Sequence, residues 1–114
     1  MKASELRIGN IVRYGANNRV LDAELFLQLL KYTTPFDPIP LTEEWLLKFG
    51  FKKTEWDNFN SYRLMIGNND YTIVLYSDGN CEVGDIITCK IEYVHQLQNL
   101  YFALTREELK QQEQ

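Results

Sequence analysis

Apolar residues recur every three or four positions in three stretches of the chain, residues 22–31, 42–50 and 94–104. This spacing gathers them on one face of a helix, so each stretch predicts a helix. In the middle stretch, Thr42 suits the N-cap and Gly50 suits the left-handed position after the last turn. For residues 20–25 a strand stays open as an alternative to the helix.

Alternating apolar and polar residues, rich in β-branched and aromatic types, predict strands in two other regions. The first is residues 8–14, which a turn at residues 16–18 connects to a short return strand. The second is residues 61–91, which predict an antiparallel meander of three to four strands. Turns within this second region are predicted at residues 67–70, 77–80 and 84–85. Residues 52–60 are polar and predict a loop, whereas three prolines make residues 32–40 an extended connector.

Together these elements predict an α+β fold, in which a small antiparallel β-meander packs against two or three short helices. The N-terminal strand pair could form part of a small barrel. A chain of 114 residues has the length of one domain, so residues 1–114 are expected to form a single domain. A Thr-x-x-Glu capping pattern at Thr105 predicts a short final helix. Residues 110–114 are expected to be a frayed tail.

Composition excludes several classes of protein. The chain is 45% apolar and 25% charged, which is ordinary for a globular protein. No apolar run approaches the roughly 20 residues of a membrane span, so no membrane association is expected. The net charge is −4 and the basic residues are dispersed, with Lys52-Lys53 as the only adjacent pair. This distribution argues against nucleic-acid binding, because phosphate contacts need clustered lysine and arginine.

Cysteine and histidine are too few for a metal centre. The sequence has two cysteines and one histidine, whereas a zinc site needs about four nitrogen or sulfur ligands at short spacings. Neither a metal nor a cofactor is therefore expected. A two-residue hairpin loop at Gly84-Asp85 would place Cys81 opposite Thr88 and Cys89 on the other face of the sheet. The cysteines are then expected to be unbonded, semi-buried residues of a reducing cytoplasm.

The sequence contains no catalytic motif, and no catalytic residue is assigned. Any general base would have to be His95, whose helical neighbours Gln98 and Asn99 are amides that cannot activate a nucleophile as a carboxylate would. The chain is therefore expected not to be an enzyme. Six residues are candidate binding residues: His95, Gln98, Asn99, Phe102, Trp56 and Phe59.

These candidates form two groups. His95, Gln98, Asn99 and Phe102 lie at offsets of three, four and seven, which places them on one stripe of the last long helix. Such a stripe either forms hydrogen bonds within the protein or offers a binding face. Trp56 and Phe59 lie in the polar segment 52–60, which either packs back on the body or serves as a recognition loop.

Three stretches carry a family resemblance: Lys2–Asn10, Pro38–Phe51 and Tyr93–Thr105. With these stretches, the chain resembles a family of small uncharacterised proteins encoded by phages, prophages and mobile elements of Bacteroidetes-type gut bacteria. The resemblance implies expression in the cytoplasm of a bacterial host cell and an accessory role in phage or mobile-element biology. It assigns no functional residue.

The preferred function is a non-enzymatic accessory protein that acts as a protein-interaction module. Its partner would be a host or phage protein, for example a host defence component that it inhibits. A small-ligand-binding protein, for example one that binds a nucleotide signal, is the alternative. A nucleic-acid-associated protein is a weaker alternative.

Overall fold

The computed structural model describes residues 6–31, 36–66, 71–84 and 86–111 of the chain. The chain divides into two compact units: residues 1–40 with 93–108 form unit 1, and residues 41–92 with 109–114 form unit 2. Several sequence predictions fall at least partly outside the described residues: part of the 32–40 connector, the turn at 67–70, residue 85 of the 84–85 turn, and 112–114 of the tail.

The architecture is α+β, as predicted, with antiparallel sheets and three short helices. The helices are α1 (Ala23–Lys31), α2 (Glu43–Lys48) and α3 (Val94–Thr105). The strands are β1 (Ile11–Tyr14), β2 (Asn17–Val20), β3 (Phe36–Asp37), β4 (Lys52–Glu55), β5 (Asn60–Ile66), β6 (Tyr71–Tyr76), β7 (Asn80–Val83) and β8 (Ile86–Lys90). Within the described residues, no helix is long and apolar enough to cross a membrane.

Unit 1 contains a three-stranded antiparallel sheet in the order β2-β1-β3, together with α1 and α3. The predicted N-terminal strand pair corresponds to β1 and β2, but the predicted bounds were wrong: the turn lies at residues 15–16 and not at 16–18, and the return strand is Asn17–Val20. Helix α1 begins after Asp22, whose carboxylate accepts the Leu25 N–H at 2.8 Å, as an N-cap does. Residue Val20 ends β2 before this helix, so residues 20–25 are not one strand. Leu6, Val12 of β1 and Leu21 form a small core, and Leu25 and Phe26 of α1 pack against it.

Unit 2 contains a five-stranded antiparallel meander in the order β4-β5-β6-β7-β8, together with α2. Side chains alternate between the two faces of a sheet. One face, here called the inner face, carries buried Tyr62 and Ile66 of β5 and Ile73 and Leu75 of β6. The opposite, outer face is more open: Met65 of β5 is exposed, and Val74 and Tyr76 of β6 are half-buried.

The segment 52–60, predicted as a loop, begins with a strand. Residues Lys52–Glu55 form β4 and pair with β5, with Lys52 opposite Arg63 and Glu55 opposite Asn60. The strand lies at the edge of the sheet, where charged side chains remain in solvent and discourage pairing with another chain. Its polar sequence therefore carries no apolar alternation, and the loop prediction failed for that reason.

The predicted register of the last hairpin was wrong by one residue. A β-bulge between Cys81 and Glu82 shifts the pairing, so that Cys81 lies opposite Cys89 and not opposite Thr88. The backbones of Cys81 and Cys89 are therefore paired across the two strands, and the predicted pairing of Cys81 with Thr88 is wrong. The Cys81 side chain is fully buried.

The predicted final helix is absent from the described residues. Helix α3 ends at Thr105, and Arg106 adopts the left-handed conformation with φ of 60°. The Thr105 hydroxyl does accept the Glu107 N–H at 3.0 Å, as a cap would, but residues 106–107 form a bend and residues 108–111 have no regular secondary structure. The capping pattern here stabilises a turn.

Candidate functional site

The stripe of candidate binding residues on α3 is mostly interior. His95 and Gln98 are 3% and 2% exposed, and Phe102 is 37% exposed. The Tyr93 and His95 rings stack with centroids 5.9 Å apart. A binding face needs exposed donors and acceptors, so His95 and Gln98 are not placed to meet a partner.

The amides of the stripe hold the loop that precedes β1. Gln98 Oε1 accepts the Ile11 N–H at 2.8 Å, and Gln98 Nε2 donates to the Gly9 carbonyl at 3.2 Å. Asn10 Nδ2 donates to Asn99 Oδ1 at 2.8 Å. The two Gln98 bonds satisfy backbone groups that would otherwise be costly to bury. Sequence reasoning missed Asn10, because its partner is about 90 residues away and no local pattern signals the contact.

Phe102 is covered in part by an arginine of its own chain. The Arg7 guanidinium lies 4.3 Å from the centre of the Phe102 ring, within cation–π range. The same guanidinium forms an ion pair with Glu108 and donates to the Gln98 carbonyl at 3.0 Å. Phe102 therefore has a partner within unit 1.

Trp56 and Phe59 form an exposed stack at the tip of the β4–β5 hairpin. Their side chains are 51% and 45% exposed, and the ring centroids lie 5.9 Å apart at 23°. The loop is closed by a hydrogen bond from the Trp56 N–H to the Phe59 carbonyl at 2.9 Å. The Trp56 indole N–H also donates to Ser61 Oγ at 3.1 Å. These bonds orient both rings without burying them.

Tyr76 on β6 extends this stack. Its ring centroid lies 5.9 Å from that of Phe59, with the planes at 59°. Its hydroxyl donates to Glu82 at 3.1 Å. We call Trp56, Phe59 and Tyr76 the aromatic surface. The alternation of Tyr76 with buried Ile73 and Leu75 places it on the outer face of the sheet.

An open pocket of about 390 Å³ lies beside the aromatic surface. Its walls are Asn58, Phe59, Tyr76, Ser77 and Asp78. Both oxygens of the Asp78 carboxylate accept hydrogen bonds from Asn80 at 2.9 Å, which holds this charge at the pocket wall. The pocket thus combines two aromatic faces with one fixed carboxylate.

A second cluster connects α2 to the sheet of unit 2. Glu43 accepts the Tyr62 hydroxyl at 2.9 Å and pairs with Lys53 at 2.6 Å. Hydrogen bonds from Lys53 and Tyr62 lower the pKa of Glu43 below its ordinary value of 4.5. Burial, and then the hydrogen bond to Glu43, raises the pKa of Tyr62. The hydrogen bonds to Glu43 and Glu55 raise the pKa of Lys53.

A cavity of about 160 Å³ adjoins this cluster, lined in part by Glu43, Leu46, Tyr62 and Leu75. Ligand pockets usually measure roughly 300–1,000 Å³, so this cavity is small for a nucleotide. The pKa shifts of the cluster follow from a structural hydrogen-bond chain. Both shifts favour the protonation states in which Tyr62 donates its hydroxyl proton to the Glu43 carboxylate, which suits a fixed contact between α2 and β5.

Within the described part of the chain, no three histidine, cysteine, aspartate or glutamate side chains are grouped so that they could hold a metal ion. Comparison of the chain with protein-family models, with curated proteins and with solved structures finds no match.

Proposed function

We propose that this chain is a non-enzymatic protein-interaction module that binds its partner through the aromatic surface. The observation that carries this proposal is the exposed stack of Trp56 and Phe59, 51% and 45% exposed on a hydrogen-bonded hairpin tip. Tryptophan and tyrosine are enriched among the residues that contribute most to binding at protein interfaces.

The orientation of the rings before binding supports the same function. Trp56 is held by Ser61, and Phe59 contacts both Trp56 and Tyr76. Side chains that are already ordered lose little conformational entropy when a partner binds. An exposed ring stack that serves the fold alone would gain more from being buried in the core.

The nature of the partner follows from the family resemblance of the sequence. We infer that it is a host or phage protein, such as a component of a host defence system that the bound chain inhibits.

In this proposal the α3 stripe stabilises the fold and does not contact the partner. Gln98 and Asn99 keep the loop before β1 in place, and the aromatic surface makes the contact.

A photo-crosslinking experiment tests the proposal. A photoreactive phenylalanine analogue at position 59, in the full chain expressed in the bacterial host, should crosslink to one discrete partner. The Trp56→Ala variant should lose most of that product, because it removes half of the stack. Met65→Ala, which changes an exposed apolar residue elsewhere on the outer face, should keep it. Equal yields from all three chains would refute the proposal.

A small-ligand function has one observation in its favour, which is the open pocket. Its volume of about 390 Å³ falls within the usual range for ligand sites. A thermal shift with cyclic nucleotides, lost in Phe59→Ala and kept in Met65→Ala, would favour this alternative over the protein-interaction module.

A further inference from the structure

We propose that the aromatic surface receives an arginine side chain of the partner protein, which stacks on Phe59 and pairs with Asp78. This inference rests on the proposed function and names the chemistry of the partner. It starts from the pocket, where the rings of Phe59 and Tyr76 and the carboxylate of Asp78 share one wall.

The segments at the pocket are rich in carboxylates, one of which, that of Glu55, is already paired with Lys53 at 3.3 Å. The two segments that meet there, residues 55–59 and 76–82, carry four carboxylates and neither lysine nor arginine. These carboxylates belong to Glu55, Asp57, Asp78 and Glu82. An apolar partner side chain would bury carboxylates without compensation, and an uncompensated buried charge is costly. A cationic side chain would gain from both the rings and the carboxylates.

The shape of the site favours arginine over lysine. Guanidinium is planar, so it can stack on an aromatic face while its edge donates two hydrogen bonds to a carboxylate. The ammonium group of lysine is a strongly hydrated point charge and approaches a ring less closely. Lys48, which pairs with Glu44 at 3.2 Å, lies 5.3 Å from the centre of the Trp45 ring, against 4.3 Å for Arg7 and Phe102. A wall that combines rings with an oriented carboxylate therefore suits the guanidinium group.

Unit 1 already contains the same arrangement, occupied by an arginine of this chain. The Arg7 guanidinium lies 4.3 Å from the Phe102 ring centre and pairs with Glu108. The Phe59 ring of the aromatic surface is stacked on Trp56 and contacts Tyr76, and its side chain is still 45% exposed. A guanidinium from a partner would contact this exposed part of the ring.

Nuclear magnetic resonance with defined peptides tests the inference. The probe is a blocked pentapeptide with two arginines between glycines, titrated into the ¹⁵N-labelled full chain. The indole N–H signal of Trp56 should move saturably, and that of Trp45, which contacts Phe49 and Lys48, should stay in place. The same peptide with citrulline, which is uncharged and of the same shape, should bind at least about tenfold more weakly. The lysine peptide should fall between them.

Variants separate the specific site from general charge attraction. Phe59→Ala keeps the net charge and should weaken binding of the arginine peptide about tenfold. Asp78→Asn keeps the rings and should also weaken it. Glu107→Gln removes one exposed carboxylate from unit 1 and should leave binding unchanged. A spectrum of each variant before titration shows that it is folded.

The outcomes distinguish this inference from the proposed function. Equal binding of the arginine and citrulline peptides, or equal weakening by Asp78→Asn and Glu107→Gln, would overturn the arginine assignment. If the crosslink at position 59 still depended on Trp56 in that case, the aromatic surface would remain the proposed interface, and the partner would contact it through a residue other than arginine. If the arginine peptide did not bind and the crosslink at position 59 did not depend on Trp56, both the arginine assignment and the proposed function would be overturned.

Discussion

Gln98 shows how a residue that suggests binding in the sequence can serve stability in the fold. Its side chain is 2% exposed and bonds to the backbone of Gly9 and Ile11. We expect Gln98→Leu to lower the free energy of unfolding by about 1–3 kcal/mol, because it leaves a backbone N–H and a carbonyl without these partners. Urea denaturation measures the change.

The control for Gln98→Leu is the same substitution at Gln111, which is exposed. It should change the free energy of unfolding by less than about 0.5 kcal/mol. If both variants unfolded at the wild-type urea concentration, the α3 stripe would return to being a candidate binding face.

The lowered pKa of Glu43 predicts that the protein loses stability as the pH falls into the acidic range. Its folded-state pKa lies below the ordinary 4.5 because Lys53 and Tyr62 donate to it. As the pH falls below about 4.5, the unfolded state takes up this proton first, so the stabilisation is complete above that pH and is lost below it. Glu43→Gln should therefore flatten the decline of the urea midpoint between pH 5 and pH 3, roughly the window in which the carboxylate titrates.

Glu107→Gln is the matched control, since it also removes one exposed carboxylate. Its urea midpoints should follow the wild-type curve with pH. Parallel curves for the wild type and Glu43→Gln would show that the Glu43 hydrogen bonds contribute nothing in solution.

At the scale of elements, the turn before β1 depends on a glycine. Gly9 has φ of 102°, and a Cβ there would lie 2.7 Å from the Glu108 carboxylate that pairs with Arg7. We expect Gly9→Ala to destabilise the fold by about 1–3 kcal/mol, from backbone strain and displacement of this ion pair. Gly15 has φ of 63° with nothing within 4 Å of an added Cβ, so Gly15→Ala should cost only about 1 kcal/mol. Thermal melts that rank the two variants in the opposite order would contradict this account.

The elements that the sequence predicted well are those with a local signal. Helix α2 lies within the predicted 42–50 region, and Gly50 has the expected positive φ of 94°. In residues 62–66 of β5 and 72–76 of β6, more buried side chains alternate with less buried ones. The edge strand β4 and the bulge at Cys81 were missed, because a pairing partner across the sheet determines each of them and nearby residues do not.

At the scale of the whole molecule, the candidate site was only half predictable. Trp56 and Phe59 stood out in the sequence as large rings in a polar segment. Tyr76 and Asp78 could not be joined to them, because that needs the β4–β5–β6 pairing, which places Ser61 opposite both Thr54 and Tyr76. The same limit applied to Arg7, whose partners Gln98 and Glu108 are about 90 and 100 residues away.

The two units also give a test of the prediction that residues 1–114 form a single domain. Each unit has about half of the chain, and a compact unit of this size is marginally stable alone. We therefore expect the two units to unfold in one cooperative transition.

Two spectroscopic signals distinguish the units. Trp45 and Trp56, the two tryptophans of the chain, belong to unit 2, so fluorescence reports on that unit. Circular dichroism at helical wavelengths reports mainly on unit 1, because α1 and α3 have 9 and 12 residues and α2 has 6. Fluorescence and circular dichroism curves should coincide in urea, whereas two separate midpoints would show that the units unfold independently and that the chain is not one domain.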